Sequence, residues 1–88
     1  MKKKWESPDN RQWELSRSEK AYEKALQEQG FEIKGVAVYN EFTDYLIEKD
    51  NIEMRTRHFR GTARKDIINK QIWLVVDTFN MRKKLEYK

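Results

Sequence analysis

Three short stretches of alternating character follow one another with almost nothing between them: Phe31 to Val38, Phe42 to Lys49 and Ile52 to Phe59. The joints are only Tyr39-Asn40-Glu41 and Asp50-Asn51. Connections that short make tight hairpins, so the three stretches are expected to form an antiparallel sheet. With Glu48 facing Glu53 and Val38 facing Phe42, one face collects Phe31, Ile33, Ala37, Tyr45, Ile47, Ile52 and Met54. A slip of one residue would scatter that set, which argues for the register. The other face would show Glu32, Lys34, Val36, Val38, Phe42, Asp44, Leu46, Glu48, Glu53, Arg55, Arg57 and Phe59, with Asp44 opposite Arg57.

Helical patterns flank this sheet. Ser7-Pro8-Asp9 combines a capping serine, a proline suited to a first turn and an acid for the positive helix end. A second start, Ser16-Arg17-Ser18-Glu19, has capping-box spacing. From there Tyr22, Ala25, Leu26 and Gln29 share a face, and Gly30 is a natural stop. On one continuous helix Trp13 would project opposite Tyr22, so a break near Ser16, or a Trp13 outside the main core, is expected. Thr62, after Gly61, can cap a long final helix reaching about Leu85. Its stripe is Ile68, Ile72, Val75, Val76 and Phe79, widened by Ile67, Leu74, Met81 and Leu85. The β-branched run at residues 72–76 leaves a fourth strand open as the alternative. The expectation is an α+β domain of order α-β-β-β-α, a three-stranded antiparallel sheet with both helices packed on one face.

The 88 residues suffice for a single domain, with residues 1–6 frayed. There is no cysteine and only one histidine, which leaves no disulfide, no thiolate or His-built metal site and no thiol nucleophile; no cofactor is expected. No apolar run resembles a signal peptide or reaches membrane-spanning length, so a soluble, cytoplasmic protein is expected.

The net charge of +4 is unevenly spread. Residues 31–52 carry two bases against five acids, whereas residues 53–70 carry six bases against two acids. Most of the excess lies between Arg55 and Lys65, which holds four Arg, one Lys, the only His and no acid. Arg55 and Arg57 would point off the open sheet face, while Arg60, Thr62, Arg64 and Lys65 gather at the start of the last helix. Free N–H groups and the helix dipole there favour an anion, and guanidinium forks suit phosphate. Nucleic acid, DNA or RNA, is the expected partner. Alternating Arg on a strand also describes an ordinary solvated edge, and an acidic protein is a further candidate. His58 points inward in this register, which suits a packed side chain better than a general base. Asp44, Glu53 and Arg55 only loosely echo the acid, acid and base of metal-dependent nucleases.

A second surface competes for attention. Val36, Val38, Phe42, Leu46 and Phe59 lie on a sheet face for which no helix remains, and Trp73 falls on the polar side of the last helix. They suit a protein interface, including a homodimer, unless the N-terminal segment folds over them through Trp5 or Trp13.

The α-β-β-β-α order with bases at the second helix start resembles the double-stranded-RNA-binding domain layout. That resemblance implies phosphate contacts at Gly61, Arg64 and Lys65. The HicA toxin family shares the layout, and its Gly-Phe lead into the first strand is matched by Gly30-Phe31. Its Gly-Ser-His motif has no counterpart here, so the resemblance carries over no ribonuclease activity. The run from Trp5 to Trp13, with Ser18-Glu19-Lys20 through Phe31, also resembles small proteins of Firmicutes genomes and mobile elements, implying a bacterial origin.

Overall fold

The computed structural model describes residues 5–11, 13–61 and 64–86; the expected Thr62 cap and residues 1–4 of the segment expected to fray lie outside them, while Glu6 of that segment is paired with Val36. The element order is α1 (Arg17–Glu28), β1 (Glu32–Val38), β2 (Phe42–Lys49), β3 (Ile52–Phe59) and α2 (Lys65–Glu86), preceded by a 3-10 turn at Pro8–Asn10. This is the expected α+β layout, with a three-stranded antiparallel sheet in the order β1-β2-β3.

Each element ends where its residues require. The Ser7-Pro8-Asp9 signal makes only the short 3-10 turn, and Ser7 forms no side-chain cap. The chain then breaks before Ser16, as Trp13 demanded, and Trp13 folds back against the core. At Ser16 the capping box is complete: the Glu19 N–H donates to the Ser16 hydroxyl at 3.2 Å, and the Ser16 N–H to Glu19 Oε1 at 3.0 Å. Gly30 supplies the positive φ of 89° that ends α1. Asp50 and Asn51 both take positive φ, the signature of a two-residue hairpin turn matched to sheet twist.

The core forms where the sheet meets both helices. Tyr22 and Leu26 of α1 and Ile68, Ile72, Val75 and Phe79 of α2 pack on Phe31, Ile33, Tyr45, Ile47, Ile52 and Met54. Burying each large side chain contributes on the order of 1.5–3 kcal/mol. Residues 72–76 are helix, because their stripe continues through Phe79 along the same buried face. Leu74, Met81 and Leu85 do not widen the stripe; they stand 67–68% exposed, beyond the reach of a three-stranded sheet. Gln29 is exposed as well, and Glu19 and Glu23 take buried positions on α1 instead.

One departure changes the sheet faces. The β2–β3 register is as expected, with Glu48 opposite Glu53 and Phe42 opposite Phe59. In β1 the pairing shifts between Ile33 and Gly35, so Val36 pairs with Tyr45 and Val38 with Thr43. An extra residue in one strand reverses the facing of everything beyond it. Val36 therefore enters the core, fully buried, and Ala37 takes its place opposite Asp44.

Candidate nucleic-acid interface

Alternation along β3 sends Arg55 and Arg57 off the open sheet face and His58 toward the helices. The structure then separates these bases by their surroundings. Arg57 Nε donates to the Asp44 carboxylate at 2.8 Å, and its guanidinium lies 3.9 Å over the Phe42 ring. The hydrogen bond to buried Asp44 holds Arg57 more firmly charged than usual. Arg60 turns back over the β1–β2 hairpin. Its guanidinium donates to the Phe42 carbonyl at 2.8 Å, to Thr43 Oγ1 at 2.7 Å, to the Asn40 carbonyl at 2.6 Å and to the Tyr39 carbonyl. Its backbone N–H adds a bond to the Glu41 carbonyl at 3.1 Å. Such a fork is a structural clamp on a loop. Arg55 has no side-chain partner among the described residues.

The α2 start is a different environment. Arg64 accepts the first helical bond, from the Ile68 N–H at 3.0 Å, and its side chain meets Asp66 at 3.2 Å. Both members of that ion pair are well exposed, so it costs little to open. Lys65 is exposed one residue later and lines a hollow of about 460 Å³ between the helices, together with Lys24, Ala25, Glu28, Gln29, Ile68 and Asn69. A second hollow of about 260 Å³ shares Gln29, Asn69 and Ile72 with it and ends at Trp73 and Val76. Trp73 is 67% exposed. The two hollows thus adjoin along the helix layer, with two ammonium groups and the Glu28 carboxylate at one end, amides between and an indole at the other. Of the expected phosphate contacts, Arg64 and Lys65 belong here, while Arg55 and Arg57 sit on the opposite layer. Lys24 and Asn69 were not singled out from sequence as site residues, and Gln29 was placed on the apolar face of α1; the Lys20/Lys24 spacing of four on the exposed side of α1 was the available signal.

The apolar surface is smaller than the sequence suggests. The shifted pairing removes Val36 to the core and turns Val38 toward the helix side, at the partly exposed end of β1. Glu6 pairs with Val36 through two 2.8 Å backbone bonds, which brings Trp5 over the open face. A Cβ at Gly35 would stand 3.3 Å from Trp5 Cβ and 3.5 Å from Leu46 Cβ, so that glycine makes room for the indole. Leu46 is half-buried, and Phe42 lies between Tyr39 and Phe59 at centroid distances of 4.8 and 5.6 Å. Of the expected sheet patch, Phe59 and, at the strand end, Val38 remain exposed.

Beneath the sheet lies a polar network that sequence did not reveal. Arg11 grips Glu23 with two bonds of 2.6 and 2.8 Å, and the Tyr45 hydroxyl donates to the same carboxylate at 2.9 Å. The Thr43 hydroxyl donates to Glu19 at 2.8 Å while accepting from Arg60. Burial alone would raise Glu19, but bonds from the Ser16 backbone and the Thr43 hydroxyl outweigh it, and the carboxyl titrates below its ordinary range. Burial and then the Glu23 charge push Tyr45 up. His58 is fully buried, stacked 4.5 Å from Tyr22, with Nδ1 3.0 Å from Gln71 Oε1; burial keeps it neutral by lowering its pKa. It packs the β3–α2 contact out of reach of solvent. Among the described residues no group of acids and His has the arrangement of a metal site, and no helix is long and apolar enough to cross a membrane. Comparisons with protein-family models, with curated proteins and with solved structures return no match to this chain.

Proposed function

We propose that the protein is a small, non-enzymatic nucleic-acid-binding domain whose working surface is the helix layer. Lys24, Arg64 and Lys65 contact phosphates, the amides of Gln29 and Asn69 line the path between, and Trp73 offers a flat face to a base. The observation that carries this reading is the pair of adjoining hollows, lined at one end by Lys24 and Lys65 with a single acid, Glu28, and at the other by Trp73. Backbone neutralisation by lysine with stacking on an aromatic ring is how sequence-tolerant binding is achieved. The layout resemblance to double-stranded-RNA-binding domains, with bases at the second helix start, points the same way. Arg57 and Arg60 serve the scaffold in this reading.

Anisotropy titrations with labelled duplex and single-stranded DNA and RNA, at low and physiological salt, test it. Binding that weakens steeply with salt and is lost in Lys24→Ala/Lys65→Ala is the expected result. Binding indifferent to both salt and that double substitution refutes it.

A further inference from the structure

We propose that the outer edge of β3 and the exposed stripe of α2 together form an interface between two copies of this chain. Two independent features meet on this side of the molecule. β2 is the central strand, so among the described residues no strand pairs with the outer edge of β3. The Arg60 N–H bonds back to Glu41, and Arg82 Nη1 reaches the Glu53 carbonyl from outside at 3.1 Å. By the alternation of an antiparallel ladder, the backbone groups of Glu53, Arg55, Arg57 and Phe59 therefore point outward. Beside this edge runs the second feature. Ile67, Gln71, Leu74, Thr78, Met81 and Leu85 recur at intervals of three and four along α2, and Leu74, Met81 and Leu85 are exposed large apolar side chains. Gln71, Leu74 and Thr78 line one wall of a groove of about 280 Å³ whose other wall is Met54, Arg55, Thr56 and Arg57.

Charge selects a second copy as the occupant. Neither the Glu53 carboxylate nor the Arg55 guanidinium has a partner among the described residues. Pairing two β3 strands about a two-fold axis at Met54 sets Glu53 opposite Arg55 of the partner subunit on both sides of the axis. An axis at Arg55 would oppose that arginine to itself, and one at Thr56 would oppose Arg55 to Arg57. Only the Met54 axis forms two ion pairs with no like charges opposed. The carbonyl of Glu53 has a second lone pair for the partner's backbone while Arg82 holds the first. The result is a six-stranded sheet, with the Leu74–Met81 stripes of both copies meeting above the joint. Strand pairing alone would be a small contact; the helix stripes bring it toward the roughly 1,000 Å² that a specific interface needs.

Sedimentation equilibrium over a concentration series, with circular dichroism to confirm folding, tests the interface. The expected mass is that of two chains, falling to one in Leu74→Glu, in Glu53→Arg and in Arg55→Glu. The double exchange Glu53→Arg/Arg55→Glu restores the ion pairs and should restore the dimer. Leu74 and Glu53 are exposed, so these variants retain the core. A single-chain mass for the unaltered protein at every soluble concentration overturns the proposal. So does a dimer indifferent to the single substitutions, or one lost in them and not recovered by the exchange.

Discussion

Replacing Arg60 by alanine should unfold this protein more readily than replacing Arg64. The guanidinium closes the β1–β2 hairpin by donating to the Tyr39, Asn40 and Phe42 carbonyls and to Thr43 Oγ1, which in turn donates to the buried Glu19 carboxylate. Hydrogen bonds from a charged donor contribute about 1.5–3 kcal/mol where the acceptor is shielded. The Tyr39 and Asn40 carbonyls lie at the exposed loop and recover water, so they add little. The Phe42 carbonyl and Thr43 hydroxyl are shielded, and the whole loss comes to about 2–3 kcal/mol. For a domain of this size each kcal/mol moves the melting temperature by about 4–8 °C, so Arg60→Ala should melt roughly 10–20 °C lower. Arg60→Lys should recover less than half, since one ammonium cannot span four acceptors. Arg64→Ala, at an exposed pair with Asp66, should stay within about 0.5 kcal/mol of the parent protein. Thermal and urea melts followed by circular dichroism measure all three. If Arg60→Ala and Arg64→Ala melt together, the division of the basic stretch into scaffold and surface is wrong.

Other substitutions probe the rest of the frame. Glu23→Ala strands the Arg11 guanidinium and should cost about 3 kcal/mol in urea melts, whereas Tyr45→Phe should cost about 1 kcal/mol. Acid should weaken the fold in two stages. The folded-state pKa of His58 is lowered from 6.5, so its contribution is complete above that value and erodes as pH falls below it. That of Glu19 is lowered from 4.5, so its contribution is complete above 4.5 and is lost as pH falls through the lower folded value. Urea midpoints across pH should lose the upper stage in His58→Gln and the lower in Glu19→Gln; a flat profile between pH 5 and 7 contradicts the His58 part. Gly35→Val should push Trp5 off the sheet and shift its fluorescence to the red, and unchanged emission contradicts the packing of Trp5 on Gly35.

The fold was legible because its signals are local. Two short joints and one apolar face specified the sheet, and the Ser16/Glu19 box and Gly30 bounded α1. Continuity of the Ile68–Phe79 stripe decided helix over strand at residues 72–76. The extra residue near Lys34 left no such mark, since Lys34 and Gly35 fit a regular strand as well as a bulged one. Everything assigned to β1 beyond it was consequently reversed, and two of the five residues of the expected apolar patch, Val36 and Val38, left that face. Partnerships were also illegible. Glu19 and Glu23 look like surface charges on a helix until Arg11, Thr43 and Tyr45 arrive from elsewhere in the chain. Arg60 and Arg64 look equivalent until one clamps a loop and the other pairs with exposed Asp66.

The central claim is that Lys24, Arg64 and Lys65 on the helix layer hold nucleic-acid phosphates. The slope of log affinity against log salt, compared between the parent protein and Lys24→Ala/Arg64→Ala/Lys65→Ala, tests it most directly. Each lost phosphate contact should flatten the slope by about 0.7–0.9, so the triple variant should flatten it by roughly 2–3. An unchanged slope, or a parent protein that binds no probe at low salt, would contradict the account.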